Sequence, residues 1–121
     1  MPRPIKNRNV CCLPRSNRFG PLDISTNKEN YVKMKVDEYE TIRLIDLEGL
    51  TQEECANQMG VARTTVQGIY NDARKKLAES LVRGKILLID GGEYSLCDGR
   101  EAPCGKFCPR RRCKKANIKV E

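Results

Sequence analysis

"ECANQMGVARTTVQGIY", from Glu54 to Tyr70, holds one glycine between apolar residues, then two threonines and a glutamine before the next apolar pair. Two helices joined by a very short turn must cross steeply, and a glycine lets the chain reverse between them. Gly60 has that place. Ala56, four residues earlier, is small enough for the helices to approach closely. Met59 and Val61 flank the turn, Val66 and Ile69 project back from the second helix, and Cys55 completes the apolar set. The pattern predicts a helix-turn-helix.

The residues left outside on the second helix are Arg63, Thr64, Thr65, Gln67, Gly68 and Asn71. Such short or flexible hydrogen-bonding groups suit base edges in a major groove. Gln and Asn match adenine, Arg matches guanine, and Thr touches a thymine methyl or a phosphate. Gly68 leaves room for close approach. Arg74, Lys75 and Lys76 add positive charge for phosphates. Arg63, Thr64, Thr65, Gln67, Gly68, Asn71, Arg74 and Lys75 are therefore the candidate DNA-binding residues, on a helix expected over 62–83. The competing reading is an ordinary helical hairpin with a solvated face. A face that is polar and basic, where such a helix usually mixes in Glu, favours double-stranded DNA as the partner.

Upstream, "DEYE" offers Asp37 as an N-cap with Glu40 three residues on, a capping pattern. That helix is expected to run to about Glu48, with Tyr39, Ile42, Leu44, Ile45 and Leu47 inward, and to stop at Gly49. Thr51 and Glu54 repeat the device for the helix before Gly60. Downstream, Val66, Ile69, Tyr70, Ala73, Leu77 and Leu81 recur every three or four residues, so the third helix should bury that face and end at Gly84. "KILLIDGGEYSLC" (85–97) predicts two strands joined at Gly91-Gly92 as a β-hairpin. Residues 1–35 predict a basic N-terminal arm with short strands at "NVCCL" and "YVKMKV", and residues 98–121 a basic, Cys-rich tail. The fold class expected is mainly α: a three-helix domain over 36–84, a small β-hairpin, and two basic arms.

Charge is distributed to match. The chain has 121 residues and a formal charge of +7. Residues 1–35 carry +6, residues 36–96 carry −4 and residues 97–121 carry +5. Basic arms suit a polyanion, and Lys6 and Arg8 beside "PRP" suit a minor groove. The acids of the middle sit mainly in the first two helices, expected to face away. The N-terminus has no apolar run of signal-peptide type, and "ILLI" (86–89) is too short to span a membrane. A cytoplasmic location and no membrane partner are the default expectations.

The chain has seven cysteines and no histidine. Cys55 occupies a helix core position. Cys11 and Cys12 adjoin in the N-terminal arm; Cys97, Cys104, Cys108 and Cys113 follow in "CDGREAPCGKFCPRRRC". Four thiolates satisfy a zinc site or an iron–sulfur cluster, so these six are candidate metal ligands, although no C-x-x-C knuckle is present. Neighbouring Arg and Lys favour thiolate, which suits redox sensing. With no His to serve as a base and no phosphate-cradling loop, an enzyme is not expected.

"GLTQEECANQMGVARTTVQGIYNDARKKLAESL" resembles the helix-turn-helix of bacterial sigma-factor region four. The chain as a whole resembles a small prokaryotic family, uncharacterised protein family zero-two-five-one, or domain of unknown function one-three-four. "MPRP", "RFGP" (18–21), "VDEYETIRLIDLEGLTQEECA" (36–56), "ARKKLAESL" (73–81) and "GGEY" (91–94) carry that likeness over roughly residues 1–97. The resemblance implies a predicted DNA-binding protein acting as a transcriptional regulator. Many sigma-type helices open with Ser after the turn; Ala62 stands there and cannot cap. The expectation is sequence-specific DNA binding in transcription control, with a homodimer on a two-fold site as the simplest assembly. The rival is a metal or redox sensor whose helices bind protein, such as RNA polymerase.

Overall fold

A computed structural model describes residues 7–23 and 30–96. They form a mainly α structure with two small sheets. The strands are β1 (Arg8–Val10), β2 (Arg18–Phe19), β3 (Tyr31–Met34), β4 (Ile86–Ile89) and β5 (Tyr94–Leu96). The helices are α1 (Val36–Thr41), α2 (Gln52–Met59) and α3 (Arg63–Arg83), with a π-helical segment at Ile42–Leu47 continuing α1.

Alternation builds the larger sheet. Val32 and Met34 of β3 and Leu87 and Ile89 of β4 point inward, as period-two strands require. The order is β2-β4-β3. β3 runs parallel to β4, with Tyr31 beside Ile86 and Met34 beside Ile89; β2 is antiparallel to β4. The helices make the long crossover that a parallel pair needs. This face packs with Val10, Val36 and Ala73 into one core, with Tyr39, Ile42, Leu77 and Tyr94 at its edge. A second core joins Leu44 and Leu50 to Cys55, Ala56, Met59 and Val66.

Two sequence expectations fail at the ends. The strands over 85–97 form no hairpin: β4 pairs with β2 and β3, whereas β5 pairs in parallel with β1. Gly91-Gly92 instead carries the chain across the start of α1. Gly91 O accepts the Val36 N–H at 2.9 Å. Gly92 has φ +102°, and a Cβ there would lie 3.0 Å from Asp37 Oδ1 and from Lys35 Cβ. Both glycines are needed for passage, not for a two-residue reversal. The expected N-terminal arm is, in its described part, woven into both sheets, and Val10, Cys11 and Cys12 are buried. Arg8 pairs with Asp37, Nε to Oδ2 at 3.4 Å, so it is held inside the fold and not offered to a groove.

α1 starts two residues earlier than its capping pattern suggests, so Asp37 is not the cap. Lys35 is the N-cap, and Glu38 Oε1 accepts its backbone N–H at 2.8 Å. Asp37, Glu38 and Glu40 are buried. Burial, set against the nearby Arg8 guanidinium, holds the Asp37 carboxyl above its ordinary range. Glu48 N–H bonds Arg43 O at 2.9 Å, a five-residue step typical of a π turn. This wider winding leaves Leu47 exposed while Leu44 is fully buried. Gly49, Gly60 and Gly84, the three expected helix stops, all have positive φ.

Candidate nucleic-acid interface

The candidate interface is built on the junction of α2 and α3. Thr51 caps α2 by accepting the Glu54 N–H at 3.1 Å, and Glu54 Oε1 accepts the Thr51 N–H at 2.9 Å. The helix stops at Gly60 in the left-handed region, φ 72°. Asn9 of β1 lies against the turn, its Nδ2 2.9 Å from where a Cβ at position 60 would stand. Only Val61 and Ala62 separate Gly60 from the first residue of α3. Ala62 is the N-cap of α3 and makes no side-chain cap bond.

Val66, Ile69, Tyr70 and Ala73 form the buried side of α3, with Ala73 in the first core and Val66 in the second. The opposite side carries the candidates. Arg63, Thr64, Gln67, Gly68, Asn71, Arg74 and Lys75 are all exposed, and Thr65 is half-buried. A Cβ at position 68 would meet nothing within 4 Å. Among the described residues, neither Arg63 nor Lys75 takes part in an ion pair. Asp72 is the acid exposed beside them.

Two of the basic residues have partners within the fold. Lys76 donates to both oxygens of Glu38, at 2.8 and 3.0 Å, and so ties α3 to α1 rather than reaching outward. Arg74 donates to the Tyr70 hydroxyl at 3.2 Å, with its guanidinium carbon 5.5 Å from the ring centre. Tyr70 in turn donates to Asp46 Oδ1 at 2.8 Å. Burial and the Asp46 carboxylate hold the Tyr70 phenol above its usual range, against the pull of Arg74. The relay from Asp46 through Tyr70 fixes where Arg74 sits. The sequence pattern assigned Tyr70 to the core alone; its four-residue spacing from Arg74 was the signal available.

The candidate thiolates divide. Cys11 and Cys12 follow β1 and are buried; Cys97, Cys104, Cys108 and Cys113 lie outside the described residues. Among the described residues no group of three or more Cys, Asp or Glu side chains is placed to hold a metal ion. Cys55 sits with its Sγ 3.6 Å from Met59 Sδ. No helix among the described residues is long and apolar enough to cross a membrane.

Fold and site together define a small, mainly helical protein that presents one polar, basic helix face. The family model described as "Protein of unknown function DUF134" matches residues 1–97, and the chain belongs to this family. It is 72% identical over 112 residues to the UPF0251 protein DSY3441 of Desulfitobacterium hafniense strain Y51, covering 93% of this chain and 90% of the relative. It is 51% identical over 108 residues to a UPF0251 protein of Caldicellulosiruptor bescii, covering 88% of this chain and 75% of the relative. A UPF0251 protein of Halothermothrix orenii is 46% identical over 96 residues, covering 79% and 71%. No solved structure matches the chain.

Proposed function

We propose that the chain is a sequence-specific DNA-binding protein, a transcriptional regulator, with α2, the Gly60 turn and α3 acting as a sigma-region-four-like helix-turn-helix. The observation that carries this is the outward projection of Arg63, Thr64, Gln67, Gly68 and Asn71 from the first turns of a helix whose other side is anchored. An α-helix is about 10–12 Å across with its side chains, which matches a major groove about 12 Å wide. Arg63 reads guanine and Gln67 or Asn71 reads adenine, while Lys75 and the Tyr70-held Arg74 take phosphates.

Selection of binding sites from random duplexes tests the proposal. Arg63→Ala and Gln67→Ala should each change base preference at one position, by about 1–3 kcal/mol. Lys75→Ala should weaken all sequences alike and lower the salt slope by about 1. Wild-type protein that enriches no sequence, or an Arg63, Thr64 and Gln67 triple Ala variant that binds duplex as well as wild type, would refute it.

A second reading, thiolate metal binding, is favoured by one register. β1 and β5 are parallel with Val10 beside Leu96, and in the sequence Cys11 follows the first and Cys97 the second. Metal analysis of the full chain purified without oxygen tests it: zinc or iron at a fixed ratio, lost in Cys11→Ser, is the expected result, and metal-free protein the opposing one.

A further inference from the structure

Asp46 and Arg74 stand on either side of one hydroxyl. Asp46 Oδ1 accepts from the Tyr70 hydroxyl at 2.8 Å, and the same tyrosine oxygen accepts from Arg74 Nη1 at 3.2 Å. Among the described residues neither Asp46 nor Arg74 belongs to an ion pair, although their charges are opposite. The tyrosine oxygen holds them apart. Burial and the Asp46 carboxylate keep the phenol protonated, so its one proton goes to Asp46 and its lone pairs face Arg74. The ring completes the seat, with the guanidinium carbon 5.5 Å from its centre, within cation–π range. The bond to Tyr70 uses one of the five N–H groups of a guanidinium, and Arg74 is exposed. The remaining fork of donors matches the oxygens of a phosphodiester.

The place of Arg74 on α3 agrees. Successive helix residues turn by about 100° and rise about 1.5 Å. Arg74 therefore points within about 20° of the direction of Arg63, about 16 Å further along the axis. Recognition helices meet base edges with their N-terminal residues, and the major groove is about 8.5 Å deep and about 12 Å wide. With Arg63 at the bases, Arg74 stands where the helix leaves the groove, at the level of the strand backbone.

On the strength of the DNA-binding reading, on which this rests, we propose that Asp46 is the positioning residue of a phosphate contact. Through the Tyr70 hydroxyl it sets Arg74 against one backbone phosphate at the edge of the groove. An acidic side chain beside DNA otherwise repels it. Here it orders Arg74 before the duplex arrives, which lowers the entropy lost by a long side chain on binding. The contact gives α3 a fixed point that holds Arg63 and Gln67 in register with the bases.

Affinities of the full chain for its selected duplex, measured over a range of salt, test this in two backgrounds. Arg74→Ala should weaken binding by about tenfold or more and lower the salt slope by about 0.9. Asp46→Asn and Asp46→Ala remove the same charge, but only Asn keeps an acceptor oxygen for Tyr70. Asp46→Asn should bind at least as tightly as wild type, and Asp46→Ala about fivefold more weakly than Asp46→Asn. Tyr70→Phe, which keeps the ring and drops the hydroxyl, should also bind about fivefold more weakly than wild type. With Arg74→Ala present, the difference between the two Asp46 variants should vanish. A bond that only fastened the π segment to α3 would lower the urea midpoint without making the difference in binding depend on Arg74. Circular dichroism should show every variant folded. Wild-type protein that enriches no duplex removes the DNA-binding reading and this inference together. Wild-type protein that binds its duplex, with Asp46→Ala equal to Asp46→Asn or with their difference intact in the Arg74→Ala background, overturns this inference alone.

Discussion

Arg43 grips Glu40 by two parallel hydrogen bonds, Nε to Oε1 at 3.0 Å and Nη2 to Oε2 at 2.9 Å, with both side chains out of water. The Glu40 carboxylate also accepts the Cys11 N–H at 3.2 Å. It thus fastens the exit of β1 to the helix that carries it. Burial works against the charge on Arg43, but the bonds and charge of Glu40 outweigh it and the guanidinium holds its proton more tightly than usual. Removing one partner leaves the other charged and buried. Glu40→Gln and Arg43→Met should each cost about 3–5 kcal/mol, a large share of the about 5–15 kcal/mol of a small domain. Urea unfolding measures this. A Glu40→Leu, Arg43→Met double variant should recover most of the loss, because no uncompensated charge remains. If the double variant is as unstable as the sum of the singles, the two residues do not act as a pair.

Cys55 should be chemically silent while the chain is folded. Burial, aided by the Glu40 carboxylate, pushes its thiol up to about 12. The thiolate is the reactive form, so at pH 8 its population falls by roughly a thousandfold from that of an ordinary cysteine thiol. A raised value favours the neutral form, so the silence should persist as pH rises until it approaches that of the folded thiol. Alkylation followed by peptide mass analysis should find Cys55 unmodified in native protein at pH 8 and fully modified in denaturant. Rapid native labelling would contradict the burial.

What the sequence disclosed was local. Gly49, Gly60 and Gly84 mark stops because positive φ is a property of one residue, and the Thr51–Glu54 box spans a single turn. Pairings across the chain were hidden. β4 joins strands more than fifty residues earlier in sequence, and nothing within "ILLIDGGEYSL" distinguishes that from a hairpin. The run of acids in "DEYE" read as a capping pattern, and its burial was hidden because the partners, Arg8, Arg43 and Lys76, are supplied by β1, the π segment and α3. Leu81 continued the apolar period of α3 yet is exposed: periodicity gives a face, not what covers it. The exposed candidate residues were legible, since they are what remains once the buried face is assigned. The Asp46–Tyr70–Arg74 relay was not, because Asp46 lies on another segment.

Ala62→Ser should stabilise α3. The first N–H groups of a helix have no intrahelical partner, and Ala62 offers no side-chain acceptor. A serine at this extended position, ψ 153°, can accept from the second or third N–H of the helix. The gain should be about 0.5–2 kcal/mol, read as a higher urea midpoint with an unchanged slope. Although the cap lies next to Arg63, its hydroxyl would be turned back onto the helix N–H groups, so the same variant should leave base preference unaltered. A changed preference would mean that Ala62 itself approaches the duplex.

Glycines 60 and 68 should respond to alanine with opposite signs. Gly60→Ala places a Cβ in the left-handed region, φ 72°, and 2.9 Å from Asn9 Nδ2. The backbone term alone should cost about 1–2 kcal/mol, and thermal unfolding should fall accordingly. Gly68 has ordinary helical geometry with open space around it. Mid-helix Gly to Ala gains about 0.8–1.0 kcal/mol, so Gly68→Ala should raise the melting temperature by about 4–8 °C. Its methyl nevertheless stands where the backbone of α3 would meet base edges, and crowding a close contact costs about 1–3 kcal/mol. The variant should therefore be more stable yet bind its selected duplex at least about fivefold more weakly. Greater stability with undiminished affinity would place Gly68 away from the DNA and remove the tightest part of the proposed docking.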